Sequence, residues 1–139
     1  MSNETRHVAG WLVLPVAAAA NGALRDATYG KRIGRTAAHS LAVLPLVVAI
    51  FAWAAGLERR WPVSSRRAAA RVGVVWLALT LAFELGMGAA RGTPAQEMLA
   101  EYDIRRGHLW PFVPLAVVLA PHVARSCAAR RKRREPGCP

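Results

Sequence analysis

Glu84 is a carboxylate inside an apolar stretch, residues 72–90, that holds no other charged side chain. A carboxylate in an apolar medium is costly unless it is paired, hydrated or protonated, so such a residue is a candidate functional group. The chemistry it offers is the binding or passage of an ion or a proton. The alternative is a structural one, in which Glu84 only locks two helices together. From the sequence alone both interpretations stay open.

Four further polar residues are expected in the same leaflet as Glu84: Asn21, Arg25, Tyr29 and His39. Successive membrane helices alternate in direction, so the end of the first, the start of the second and the end of the third share one side of the membrane. We predict that Glu84 hydrogen-bonds one of these four across helices and that the five residues form a ligand or ion cluster. Arg25 could instead reach the head groups, and a lone His39 is seldom a metal ligand. The sequence therefore predicts no metal and no cofactor.

Four apolar segments must position these residues. They cover about residues 8–24, 38–57, 72–90 and 109–124. The first segment, at about 1.5 Å per residue, spans roughly 25 Å and is slightly short of a hydrocarbon core. Apart from Glu84, charged residues are confined to the loops between the segments and to the chain ends, whereas a soluble domain spreads them along one face of each helix. The sequence predicts an all-α fold: a four-transmembrane-helix bundle over residues 1–125, then a basic, disordered cytoplasmic tail over 126–139.

The third loop, residues 91–108, is predicted to hold a short interfacial helix. Thr93 is a candidate N-cap and Pro94 a candidate first residue. Met98, Leu99 and Tyr102 fall on one face at helical spacing, as in a helix lying on a membrane. At the start of the third span, Ser64 or Ser65 is positioned to cap the helix.

The net charge of +11 goes with a hydrophobic content of 54%, and the basic residues flank the apolar segments. This placement favours contact with a lipid bilayer over nucleic-acid binding, which needs basic residues beside aromatics or on a docking helix. Twelve Lys and Arg residues lie on the side of the termini and seven on the other. That bias predicts both termini in the cytoplasm. The preference for Arg over Lys suggests a bacterial protein, and hence the inner membrane.

Two cysteines, Cys127 and Cys138, lie in the tail without metal-ligand spacing and are predicted to be free thiols. At the other terminus, Arg6 and the following apolar, small-residue stretch also fit a cleavable secretory signal. Retention of this segment as the first span and its removal are the two alternatives.

Several short motifs resemble those of a family of small bacterial four-helix membrane proteins to which no activity is assigned. The motifs are NGALRDATYG at 21–30, AAH at 37–39, RWP at 60–62, LTLAFELGMG at 79–88 and AEYDIRRGHLWP at 100–111. The resemblance covers all but the two ends of the chain. It implies that the first helix is retained, because the first motif begins inside it, and it draws attention to the five cluster residues. Asp26 stands where Glu is usual in the family, and Ser40 where Gln is common.

These observations favour a polytopic membrane protein, not an enzyme, whose polar cluster binds or passes a small ligand, an ion or a proton. Four spans are few for enclosing a pathway, so we expect a homo-oligomer or a partner membrane protein. The second interpretation is a structural or accessory subunit without activity of its own. An enzyme with Glu84 and His39 as acid and base is least favoured, because no nucleophile with its base and orienting group is recognisable.

Overall fold

The computed structural model describes residues 1–134, and all regular structure within them is helical. The elements are α1 (Asn3–Gly10), α2 (Val13–Ala27), α3 (Arg35–Arg60), α4 (Arg66–Ala90), α5 (Ala95–Ala100), a 3₁₀ turn (Ile104–Arg106) and α6 (Phe112–Arg134). Four helical segments are long and apolar enough to cross a membrane: α1 with α2, α3, α4 and α6. The predicted all-α four-helix fold is confirmed.

The last helix extends well beyond its predicted end. α6 continues to Arg134, so the expectation of a disordered tail is wrong for residues 126–134. Alanine and arginine dominate this segment and are strong helix formers, and basic residues in a last turn interact favourably with the helix dipole. Cys127 is exposed on this helix as a free thiol. Cys138 lies outside the described residues.

The first span is interrupted between α1 and α2, and Pro15 explains the interruption. Proline has no N–H, and its ring clashes with the carbonyl four residues earlier, which is that of Trp11. The amide of Leu14 therefore donates to that carbonyl at 2.8 Å, and the Trp11 amide donates to Val8 at 3.0 Å. Both bonds reach back three residues instead of four. Two carbonyls of α1 are left without the amide partners that a continuous helix would provide.

Tryptophan side chains bind both of these carbonyls. The Trp76 indole donates to the carbonyl of His7 at 2.8 Å, and the Trp53 indole donates to that of Gly10 at 3.0 Å. Backbone groups freed inside a membrane have to find partners within the protein. These two bonds join α1 to α4 and α3 and fix the position of the break.

The core lies where α6 packs against both α3 and α4, with α1 against α4 and α2 chiefly against α3. At Gly73 the backbone of α4 comes so close to α6 that an added Cβ would collide with the Val118 carbonyl. Large apolar side chains on the outside of the bundle are exposed, among them Val16, Val48 and Leu85. A soluble monomer rarely exposes so much apolar surface, whereas lipid chains cover it in a membrane.

The bundle has two ends that differ in what they carry. The loop end carries residues 28–34 and 91–111, and the terminal end carries both chain termini and residues 61–65. The short helix predicted in the third loop is confirmed as α5. Thr93 does not cap it; its amide bonds the carbonyl of Gly88 instead, and Pro94 occupies the N-cap. The predicted cap of α4 is confirmed, since Ser65 Oγ accepts the Ala68 amide at 3.1 Å.

Candidate functional site

At the loop end, Glu84 binds the segment between α4 and α6. Its Oε2 accepts a hydrogen bond from the Tyr102 hydroxyl at 2.6 Å and one from the Trp110 indole at 3.3 Å. Glu84 was predicted to hydrogen-bond Asn21, Arg25, Tyr29 or His39. That prediction is wrong, because in the described part of the chain the Glu84 carboxylate forms no hydrogen bond with any of the four. The physical reason is that residues 91–111 fold back over the end of α4 and reach the carboxylate first.

The Tyr102 hydroxyl is held in its protonated form. Burial raises the pKa of Tyr102 above its ordinary value, and the hydrogen bond to the Glu84 carboxylate raises it further. Both effects disfavour the phenolate, because it would be poorly solvated and would face a negative charge. Tyr102 is therefore a permanent donor to Glu84.

Arg25 and His39, both predicted cluster members, are in contact. Arg25 Nη1 lies 3.1 Å from His39 Nδ1, and Arg25 Nε bonds the Asp26 carboxylate at 2.8 Å. Arginine can only donate, so His39 Nδ1 is the acceptor. A neutral His39 then carries its proton on Nε2, the nitrogen that points away from Arg25.

That Nε2 points towards a carboxylate that sequence reasoning missed. It lies 3.4 Å from Glu101 Oε2, and His108 Nδ1 lies 3.5 Å from the same oxygen. All three atoms are buried, and none of them has a hydrogen-bond partner within residues 1–134. We refer to His39, Glu101 and His108 as the His–Glu–His site.

This site is joined to Glu84 through an aromatic ring. The rings of His39 and Trp110 are stacked at a tilt with centroids 5.2 Å apart, and the Trp110 indole donates to Glu84. Beside them, the Ser40 hydroxyl donates to the Gly107 carbonyl at 2.6 Å. The segment that supplies Glu101 and His108 is thereby fastened to both α3 and α4.

The other two predicted residues are further from this chemistry. Asn21 donates its amide to the Ala42 carbonyl at 2.7 Å, which joins α2 to α3. The Tyr29 hydroxyl makes no hydrogen bond within residues 1–134. Asn21 therefore has a packing role in the structure, and Tyr29 supplies no polar contact to the cluster.

Comparison with protein-family models, with curated proteins and with solved structures found no match.

The charges of the cluster favour a positively charged ligand. Glu84 has only neutral donors, and Glu101 faces only imidazoles. The charge of Arg25 is balanced by its contact with Asp26. Among residues 1–134, no three His, Cys, Asp or Glu side chains are arranged to hold a metal ion. A proton suits the geometry better than a metal ion does, because it needs only one acceptor atom and a neighbouring group that stabilises the charge.

Sequence reasoning missed Glu101 and His108 because it treated residues 91–108 as a surface segment. The signal was present in the motif at 100–111, which contains Glu101, Tyr102, His108 and Trp110. Tyr102 and Trp110 bond Glu84, Glu101 lies beside His39, and His108 lies beside Glu101. Treating the motif as a source of partners for Glu84 and His39 would have drawn attention to it.

A second polar group lies at the terminal end. Glu58 is buried, accepts the Val63 amide at 3.1 Å and lies 3.4 Å from Arg125. His7 is completely buried and its Nε2 lies 2.9 Å from the Trp61 carbonyl. Neither residue was predicted. Their contacts fasten the loop 61–65 to α1, α3 and α6.

Proposed function

We propose that this small polytopic membrane protein takes up, releases and passes a proton at the His–Glu–His site. The observation that carries the proposal is the convergence of two buried imidazole nitrogens on one buried carboxylate oxygen, with no hydrogen-bond partner for any of the three atoms among residues 1–134. Buried polar atoms without partners are rare in folded proteins and need an explanation. One added proton supplies it, because an imidazolium can donate to Glu101 and balance its charge.

The three side chains have different roles in this proposal. Arg25 occupies Nδ1 of His39, so His39 could bind a second proton only by losing that hydrogen bond. His108 has no such restraint and is the group that accepts the proton. Glu101 stabilises the resulting imidazolium, and His39 Nε2 lies 3.4 Å from the same carboxylate oxygen.

The proposal includes a cellular setting. The excess of basic residues at the terminal end supports both termini in the cytoplasm of a bacterial inner membrane, with the loop end on the outer side. The protein would act without enzymatic chemistry. Self-association, or a partner membrane protein, would complete the path for the proton, since four helices enclose little space.

Proton passage can be tested in liposomes that contain the purified protein and a trapped pH-sensitive dye. When a membrane potential is imposed with the interior negative, we expect the interior of liposomes that contain wild-type protein to become acidic faster than that of empty liposomes. Glu101→Gln should reduce that rate about fivefold or more, since removing a charge partner costs on the order of 1–3 kcal/mol at a buried site and less where the partner side chain is 45% exposed, as that of Glu101 is. Glu97→Gln is the matched control, because Glu97 lies one turn earlier and is exposed. Equal rates for wild type and Glu101→Gln would contradict the proposal.

A second candidate function is that of a structural or accessory subunit. It is favoured by Glu84, whose two neutral donors fasten residues 91–111 to the bundle without any charge that could be exchanged. In that case the losses of biological activity in Glu84→Gln and Glu101→Gln should track their losses of thermal stability. In the proton proposal, Glu101→Gln loses flux while its melting temperature stays near that of wild type.

A further inference from the structure

A cleft lined by arginines opens at the terminal end between the start of α4 and the last turns of α6. Its volume is about 550 Å³, and its lining residues are Arg66, Arg125, Ala129, Arg130 and Arg133. Four of the five carry a positive charge, and Ala129 is small enough to leave the space between them open. We propose that this cleft binds a phosphate group, most directly that of an anionic phospholipid in the leaflet at the terminal end.

Within residues 1–134, the charge in the cleft is largely uncompensated. Arg125 lies 3.4 Å from the buried Glu58. Arg66, Arg130 and Arg133 are exposed and have no carboxylate within 4 Å among residues 1–134. Like charges that converge without an anion repel one another, so an anion bound between them removes a cost as well as adding contacts.

Arginine is suited to phosphate because its planar guanidinium offers parallel N–H donors that match two phosphate oxygens. The contact between Arg125 and Glu58 fixes one side of the cleft. Arg130 and Arg133 rise from the next turns of the same helix, and Arg66 faces them from α4. A phosphate placed between α4 and α6 would therefore be contacted from both helices.

The position of the cleft favours a lipid as the source of the phosphate. Arg66 is the first residue of α4, and Arg125 follows the apolar part of α6, so the cleft lies where the spans leave the hydrocarbon. Lipid phosphates lie at that depth. Basic side chains close to an anionic leaflet each strengthen binding to it.

The test is native mass spectrometry of the full chain in detergent, titrated separately with phosphatidylglycerol, phosphatidylcholine and inorganic phosphate. The cleft variant is Arg66→Gln with Arg130→Gln and Arg133→Gln. The matched control is Arg59→Gln with Arg67→Gln and Arg131→Gln, three exposed arginines at the same end but outside the cleft. Both variants lose three charges, so only the location differs.

We expect wild type and the control variant to bind phosphatidylglycerol equally well. The cleft variant should bind it about tenfold more weakly, because salt screens part of the attraction that the three arginine charges provide. Phosphatidylcholine should bind weakly to all three. If inorganic phosphate binds wild type as tightly as phosphatidylglycerol, a free phosphate is the ligand and the site stands. Equal losses in both triple variants, or no loss in either, would overturn it. Ala129→Glu, which places a carboxylate in the cleft, should reproduce the loss without removing any arginine.

Discussion

The Tyr102 hydroxyl donates to the Glu84 carboxylate at 2.6 Å and so closes the third loop onto the end of α4. This single contact joins the residue that the sequence marks as unusual, a carboxylate inside an apolar span, to the segment that supplies Glu101 and His108. The position of the His–Glu–His site therefore depends on it.

We predict that Tyr102→Phe destabilises the protein by between about 0.6 and 2 kcal/mol, because the Glu84 carboxylate loses its shortest hydrogen bond. Thermal unfolding in detergent or nanodiscs measures the effect. Tyr29→Phe is the control, since the Tyr29 hydroxyl makes no hydrogen bond within residues 1–134, and it should change the melting temperature little. Equal losses for the two variants would contradict the assignment of the bond.

The raised pKa of Tyr102 predicts its behaviour at alkaline pH. Tyr29 and Tyr102 are the two tyrosines of the chain, so Tyr29→Phe leaves Tyr102 to be followed by tyrosinate absorbance. A free tyrosine ionises near pH 10. We expect Tyr102, followed in the Tyr29→Phe variant, to ionise at a higher pH than Tyr29, followed in the Tyr102→Phe variant.

The stability that this contact contributes follows from the same shift. Because the folded-state pKa of Tyr102 lies above the unfolded one, its contribution is fully present below about pH 10 and is lost only as the pH rises through the folded-state value. Unfolding midpoints should therefore show no contribution from Tyr102 ionisation between neutral pH and about pH 9. Ionisation of Tyr102 at the ordinary pH would contradict the buried, hydrogen-bonded environment.

Gly73 is predicted to control the packing of α4 on α6. Gly73→Ala should destabilise the fold by about 1–3 kcal/mol, because the added methyl group collides with the backbone carbonyl of Val118 and overpacks the contact. Gly86→Ala is the matched control on the same helix, where nothing lies within 4 Å of an added Cβ. It should leave stability unchanged or raise it slightly, as alanine favours helices. A stable Gly73→Ala variant would contradict the close approach of the two helices.

The orientation is predicted from charge and can be measured with reporter fusions. A reporter attached after residue 134 should be active on the cytoplasmic side, and one inserted at Gly92, an exposed position in the third loop, should be active on the other. Two reporters on the same side would contradict four spans. The reverse arrangement would leave the bundle intact and overturn the inner-membrane orientation.

The spans could be predicted from sequence because segregated apolar runs specify membrane helices almost without regard to tertiary contacts. The break in the first span was not predicted, although Pro15 is its cause, because proline is tolerated inside membrane helices when other groups satisfy the freed carbonyls. Here those groups are indoles of Trp53 and Trp76, far away in the sequence.

The candidate site was predicted in part for a related reason. Arg25 lies at the end of α2 and His39 at the start of α3, and the short loop between these helices brings the two side chains into contact. The order of the helices along the chain is enough to predict this. Glu101 and His108 lie on an irregular segment whose path over the bundle depends on individual contacts such as Ser40 with Gly107. Periodicity carries no information about such a path.

Proton uptake at the His–Glu–His site requires the imidazoles of His39 and His108 to face one carboxylate, that of Glu101, and imidazole ¹⁵N NMR of the protein in bilayers tests this directly. We expect the His39 signal to change when His108 gains its proton, so that His39 shows two steps across the pH range. His108→Gln and Glu101→Gln should each abolish the coupled step, while Glu97→Gln should preserve it. A His39 signal that follows the same curve in wild type, His108→Gln and Glu101→Gln would contradict a shared site.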